Sequence, residues 1–347
     1  MANRQRVLID LRSDTVTKPT PAMLQAMLEA EVGDDVFGED PTAGILERKV
    51  AKLFDKEAAL FVPSGTMANQ IAVKAHTQPM DEIILAKNAH IYYYETAGFA
   101  FHSGVSVKLV DTDSGIFTYE DVIQNIQPDF DWLPKTSLVC LENTSNKGGG
   151  SCYELDDIRA IQKTCLEKGL KLHIDGARIW NAIIAKGYST EDIGRSCDSI
   201  SVCFSKGLGA PIGSALVGDV AFIKKARRIR KAFGGGMRQV GLLAGAAIYA
   251  LDHNLQRLTT DHLHAQAISE ILHKMEWVSA VLPTETNIII FEILEGKTSV
   301  EQVLSYLKEN NILAVQFGPK HIRMVTHLDI SHEMVKQVVK CLKSFST

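Results

Sequence analysis

The chain has 347 residues, 46% of them apolar and 22% charged. This length suits about two domains, and the balance excludes a disordered, collagen-like or coiled-coil protein. Its 41 acidic and 37 basic residues leave a formal charge of -4, which supplies no positive field to draw a phosphate backbone and excludes nucleic acid as the main partner.

Met1–Arg6 lacks the apolar run of a signal peptide and no later segment reaches membrane length, so the expectation is a cytoplasmic protein without a membrane partner. Val7-Leu-Ile reads as a short strand. Pro41–Phe54 places Leu46, Val50, Leu53 and Phe54 on one helical face, with Pro41 suited to a first turn, and Ala58–Val62 follows as a strand. Thr118-Tyr-Glu-Asp121 has the spacing of a capping box opening a helix through Ile126. Ser137–Leu141 is the next buried strand, Asp156–Glu167 a helix closed by Gly169, and Leu170–Ile174 another strand.

Strands apolar on both faces alternating with amphipathic helices belong to an α/β protein with a mostly parallel sheet, expected over residues 1–250 together with an N-terminal arm. From 251 to 347 the order changes to strand (287–293), helix (300–309), strand (312–317), strand (322–326) and helix (332–345), the grammar of a smaller α+β domain. Six scattered cysteines without a Cys-x-x-Cys suggest reduced thiols, not a disulfide framework. His262 and His264 would face different sides of a helix and read as surface histidines, so no metal site is expected.

Three polar features fall at strand ends, the edge where open α/β sheets bind ligands. Asp175 ends Leu170–Ile174 and is followed by Gly176-Ala-Arg178. A carboxylate in so apolar a setting needs a cation, or it simply pairs with Arg178 or caps the next helix. Lys206 closes the half-buried Ser199–Ser205 stretch, and burial turns a lysine into an amine able to form a Schiff base with an aldehyde; a snorkelling lysine is the plain alternative. Ser64-Gly65-Thr66 stands between a strand and a helix, where free amides hold a phosphate or a hydroxyl merely caps. There is no Walker loop, and Gly207–Gly213 lacks dinucleotide spacing. Lys147, in Lys-Gly-Gly-Gly, offers a rival amine but reads as a solvated loop residue. A phosphate cup, a strand-end aspartate and a buried lysine are together the three parts that pyridoxal 5'-phosphate requires.

Seven segments carry a more specific signal: Asp10-Leu-Arg-Ser-Asp-Thr-Val-Thr-Lys18, Val32-Gly-Asp-Asp-Val-Phe-Gly-Glu-Asp-Pro-Thr42, Pro63–Asn69, His173-Ile-Asp-Gly-Ala-Arg178, Ser205-Lys-Gly-Leu-Gly209, Gly234-Gly-Gly-Met-Arg-Gln239 and Arg323-Met-Val-Thr-His327. In this order they closely resemble the L-threonine aldolases. The resemblance implies a fold-type-I pyridoxal-phosphate enzyme, a homodimer or homotetramer with active sites at the dimer interface, that cleaves L-threonine or L-allo-threonine to glycine and an aldehyde. It implies that Lys206 holds the cofactor aldehyde, Asp175 pairs with the ring nitrogen and His90 stacks on the ring. Ser64, Gly65, Thr66 and Ser205 would hold the phosphate, Ser13, Arg178 and Arg323 would surround the substrate carboxylate, and Lys231 and Arg238 would reach a cofactor across the interface.

Two segments depart from the family pattern. Leu141-Glu-Asn-Thr-Ser-Asn146 carries Ser145 where many members have histidine, at a place expected near the substrate hydroxyl. Serine cannot accept a proton near neutral pH, so the base is expected to be His90, a bound water or a group not singled out in the sequence. His102, nearby in sequence, has no argument for it. Glu95-Thr-Ala-Gly98 replaces a commoner Glu-Ala-Gly-Gly. A β-eliminating lyase with the same cofactor residues is the alternative, and a non-catalytic cofactor-binding protein is a further one.

Overall fold

The computed structural model describes residues 7–345; Met1–Arg6, read above for a leader, lies outside the described residues. In chain order the strands are β1 (Ile9–Asp10), β2 (Ala58–Val62), β3 (Asp81–Ala86), β4 (Ser106–Val110), β5 (Lys135–Glu142), β6 (Lys171–Gly176), β7 (Ser199–Cys203), β8 (Ser214–Gly218), β9 (Val278–Val281), β10 (Ile288–Ile293), β11 (Ile312–Leu313), β12 (Val315–Gln316) and β13 (His321–Val325). The large sheet has the order β2-β8-β7-β6-β5-β3-β4. Only β8 runs against its neighbours, so the other six strands share one direction. All residues of β7 and β8 are buried, as a sheet covered by helices on both faces requires.

The helix signals are realised by the expected residues. Asp40 caps Pro41–Leu53 through the Ala43 amide, and Leu46, Val50 and Phe54 are fully buried. Thr118 and Asp121 form the reciprocal capping box. Gly169, at φ +69, ends Leu155–Lys168 in the left-handed region that favours glycine.

In the C-terminal part, β12-β13-β10-β9 form an antiparallel sheet under the helices Val300–Glu309 and His332–Ser344. The single strand expected over 312–317 is broken. β11 pairs in parallel with β1 while β12 pairs with β13, so the chain changes partner at Ala314. β9 escaped the sequence reading because it is a four-residue strand with no buried position. One apolar cluster gathers residues from Met23 to Leu258; a second gathers Ala265 to Leu342 and includes Ile9 and Leu11, which the sequence had grouped with the large sheet.

His262 and His264 are not surface residues. The helix Leu258–Leu272 joins the two clusters, and both histidines are buried in it, His262 bonding Asn181 Oδ1 at 3.0 Å. Burial pulls His262 down to about 4. The six cysteines are buried and unpaired. Among the described residues no helix is long and apolar enough to cross a membrane.

The order β4-β3-β5 means that the chain reverses its direction of winding at β3, and the crevice beside such a point is where open sheets bind ligands. The ends of β3, β5, β6 and β7 lie along this edge.

Candidate active site

Register brings three polar positions abreast on neighbouring strands: Glu142 opposite Asp175, and Asp175 opposite Ser201. Asp175 is 1% exposed. Its Oδ1 accepts the Ala177 amide at 3.0 Å and its Oδ2 the Asn69 side-chain amide at 2.8 Å. The guanidinium expected beside it goes elsewhere. Arg178 donates from Nε and Nη2 to both oxygens of Asp14, at 2.8 and 2.7 Å, in a fully buried pair. Burial pushes the Asp14 carboxyl up, but Arg178 more than reverses this and holds it far below the usual carboxylate range. Among the described residues Asp175 has no lysine or arginine partner, so a buried carboxylate faces the crevice without its cation.

His90 is the first residue of a short helix, His90–Tyr93, after β3. Its backbone amide donates to Glu142 Oε2 at 2.8 Å, and the Asn146 amide donates to Glu142 Oε1 at 2.9 Å. One buried carboxylate thus joins both sides of the crevice. Burial, then repulsion from Asp175, pushes Glu142 up to about 7 against the pull of these two amides. The His90 ring bonds Glu95 through Nδ1 at 2.9 Å. Because a carboxylate only accepts, Nδ1 carries the proton and the free nitrogen is Nε2. Burial lowers His90, but Glu95 and the nearby Asp175 and Glu142 charges prevail and raise it above the ordinary histidine value. Asn69 and Gln70 also donate to Glu95, at 2.9 and 2.6 Å. Ligand-capable atoms of His90, Glu95 and Asp175 lie within 4.8 Å of one another. The unusual Thr96-Ala97 segment is left-handed at φ +54 and +53, a conformation that costs non-glycine residues about 1–2 kcal/mol each.

Lys206 lies three residues beyond β7, in the turn to β8, where its carbonyl accepts the Gly209 amide. It lines a cavity of about 370 Å³ with Ser13, Thr15, His90, Tyr94, Asn146, Arg178, Gln316, Phe317 and Arg323. Arg323 reaches in from β13, donating to Asn146 Oδ1 at 2.8 Å and to the Arg12 carbonyl at 3.1 Å. No carboxylate pairs with it among the described residues, and its Nε has no partner. Burial and then the like charge of Arg178 pull it down to about 10. The cavity therefore holds an uncompensated guanidinium.

Ser145 does not reach this cavity. Its amide and carbonyl bond Ser151 and Gly150, folding residues 145–151 back on themselves. The hydroxyl accepts the Gly148 amide at 3.2 Å and faces Gly115, where a Cβ would come within 2.1 Å of it. Asn146 is the residue of this segment that enters the site. Lys147 is not simply solvated, since its ammonium lies 4.1 Å from the Tyr93 ring centroid and 5.3 Å from that of Phe317, as ring faces attract cations. His102 instead packs at a tilt against Phe233 with ring centroids 4.4 Å apart and does not line the cavity.

Ser64 caps the helix Gly65–His76 by accepting the Met67 amide at 3.2 Å. The Gly65 and Thr66 amides occupy the first turn, where no helical carbonyl can serve them. A Cβ on Gly65 would come within 2.8 Å of Cys203 Sγ, so this helix start abuts the end of β7, two residues before Ser205. Lys231 and Arg238 do not line the Lys206 cavity; Lys231 is exposed, and Arg238 bonds Asp34 at 2.7 Å beneath the Phe37 ring.

Asp14, Asn69, Glu95, Glu142, Asn146 and Phe317 join the site without having been singled out from sequence. All but Phe317 lay inside the quoted segments. For Phe317 no sequence signal existed, because its place depends on how the C-terminal sheet meets β5.

Residues 10–295 match the family described as beta-eliminating lyase. The chain is 43% identical to low-specificity L-threonine aldolase 1 of Arabidopsis thaliana over 96% of this chain and 95% of that one. It is 41% identical to the low specificity L-threonine aldolase of Escherichia coli K12, over 97% and 99%. Among solved structures, the threonine aldolase of Leishmania major superposes with a TM-score of 0.85 at 21% identity, covering 96% of this chain and 98% of that one. A serine palmitoyltransferase structure that carries PLP superposes at 0.77 with 14% identity, covering 98% and 88%. The fold is fold type I, and the chain belongs to the beta-eliminating lyase family, in its low-specificity L-threonine aldolase branch.

Proposed function

We propose that this protein is a pyridoxal-phosphate-dependent lyase that cleaves L-threonine or L-allo-threonine to glycine and acetaldehyde. The observation that carries the reading is a pair of charges left uncompensated among the described residues: Asp175 without a lysine or arginine and Arg323 without a carboxylate, beside the Lys206 cavity. A protonated pyridine nitrogen and an amino-acid carboxylate fit them in turn. Bound there, pyridoxal phosphate supplies the electron sink that allows a bond at Cα to break.

Lys206 would be the amine that holds the cofactor aldehyde. Asp175 would hold the ring nitrogen, His90 would cover the ring, and the Gly65 and Thr66 amides with the Ser64 and Ser205 hydroxyls would hold the phosphate. Arg323 grips the substrate carboxylate, with Ser13 and the Asp14-neutralised Arg178 framing it. With Ser145 sealed away, His90 Nε2 is the proton acceptor for the β-hydroxyl, directly or through a water. Lys231 and Arg238 serve a partner's cofactor across a dimer interface, which accords with their place outside this cavity. The division into units of 1–250 and 251–347, homodimeric or homotetrameric assembly and a cytoplasmic location belong to the same proposal.

The test is product identity. Cofactor-loaded protein given L-threonine and, separately, L-allo-threonine should yield glycine with acetaldehyde, the two rates giving the stereopreference. The family description keeps β-elimination as the second reading; dominant 2-oxobutyrate with ammonia would establish it, and silence with both substrates would sink the cleavage.

Arg323→Gln removes the forked cation while keeping a donor. Loss of charged hydrogen bonds worth about 1.5–3 kcal/mol should raise KM about 10- to 100-fold while the bound cofactor's visible absorption stays unchanged. An unchanged KM would remove Arg323 from the carboxylate site.

A further inference from the structure

Behind Asp175 lie five polar side chains outside the Lys206 cavity: Asn69, His173, Ser199 and Ser201, all 2% exposed or less, and the half-buried His76. Their hydrogen bonds form one connected chain. Asn69 donates from Nδ2 to Asp175 Oδ2 at 2.8 Å and to Glu95 Oε1 at 2.9 Å. Two carboxylates fix which end of this amide is nitrogen, because the flipped amide would set its oxygen against theirs. Asn69 Oδ1 therefore only accepts, from Ser201 Oγ at 2.8 Å and from His173 Nε2 at 3.2 Å. His173 must carry its proton on Nε2, so its bare Nδ1 accepts from the Ser199 hydroxyl at 2.9 Å. With its only hydrogen spent, Ser199 accepts from His76 Nε2 at 2.8 Å. His76 is held in place by stacking on Phe222, with ring centroids 4.4 Å apart.

From His76 to Asp175 every donor thus points the same way, and each link has one permitted orientation. Burial pulls His173 down to about 4 and His76 to about 3, so both rings are neutral near neutral pH and the chain has no competing state.

We propose that His173, backed by Ser199 and His76, is a positioning residue for the ring-nitrogen partner: it locks the Asn69 amide in the one orientation that aims a donor at both Asp175 and Glu95. Through Asn69 it ties the Asp175 carboxylate to the Glu95 that orients His90, so the two groups share one anchor. The inference rests on the reading of Asp175 as the ring-nitrogen partner.

The test begins on the cofactor-free full chain labelled with 15N-histidine. His173 should show the Nε2-protonated tautomer with a bare Nδ1, unchanged between about pH 5.5 and 8.5, where an ordinary histidine titrates. An Nδ1-protonated ring, or a titration inside that window, overturns the proposal.

In the loaded enzyme, His173→Leu should lower kcat about tenfold, as loss of groups that orient a ligand does. KM should stay within about twofold, and the pH midpoint of the bound cofactor's visible absorption should shift. His173→Gln, which keeps a donor toward Asn69, should restore much of both. Ser199→Ala should shift the same midpoint in the same direction, and it serves if His173→Leu does not fold. A folded His173→Leu or Ser199→Ala enzyme with wild-type midpoint and kcat overturns the positioning role. Failure of the underlying reading looks different, because the wild-type protein itself would then show no cofactor absorption or no glycine.

Discussion

Lys206→Ala should leave a folded protein that has lost the visible absorption of covalently held pyridoxal phosphate and at least about three orders of magnitude of turnover. Removing a covalent catalyst costs the whole pathway it opens, not one contact. Lys206 is the lysine of the cavity that also holds His90, Arg178 and Arg323, and the bonds that hold its turn, from the Gly209 amide and the Thr17 hydroxyl, go to its carbonyl, which alanine keeps. The natural control is Lys147, whose ammonium is engaged by the Tyr93 and Phe317 rings; Lys147→Ala should keep the absorption. Spectra and steady-state rates of the two variants decide the matter, and a Lys206→Ala enzyme that retained the band would move the covalent site elsewhere.

The large sheet was legible because its signals are local. A capping box at Thr118, a glycine stop at Gly169 and strands apolar on both faces each depend on a few adjacent residues. The strand 312–317 was misread because pairing is not local: nothing in Ile312–Phe317 says that β1, some three hundred residues earlier, will take its first half. The histidines of Leu258–Leu272 were misread for a related reason. Periodicity gives one apolar face, but this helix is covered by two clusters, so polar residues are buried too.

The site divides in the same way. Lys206, Asp175 and Gly65-Thr66 each have a plain reading alone and stood out together, because an amine, a carboxylate and a helix start at strand ends match one cofactor. Glu142 and Asn69 did not, since a buried carboxylate or amide inside an apolar run acquires meaning only when its partners are known. Ser145 was placed beside the substrate by resemblance, yet the tight return of residues 145–151 turns it toward Gly115 and sends Asn146 inward. Arg178 was read beside Asp175, three residues away, but its partner is Asp14, 164 residues away.

That pair sets the second large effect. Asp14→Asn keeps the shape of the side chain but leaves the Arg178 guanidinium buried without its charge partner, a change that costs about 3–5 kcal/mol. The pH dependence follows from the direction of the Asp14 shift. Its carboxyl is held below the unfolded value of about 3.9, so the native state binds the proton more weakly and the pair's contribution is complete above that value. As the pH falls toward the native value, the wild type must take up the proton and loses the contribution, whereas the asparagine variant has none to lose. Urea midpoints at fixed protein concentration should therefore show a large, constant gap between the two proteins from about pH 8 to 5, narrowing below about pH 4. A gap that widened in acid would mean that Asp14 is not ionised in the native state. Because Arg178 and Arg323 share the cavity, the same variant should also lose cleavage activity at pH 7 with the Lys206 absorption band still present. This outcome separates the arginine frame from the covalent site, and a variant with full activity would show that Arg178 needs no counterion to frame the substrate carboxylate.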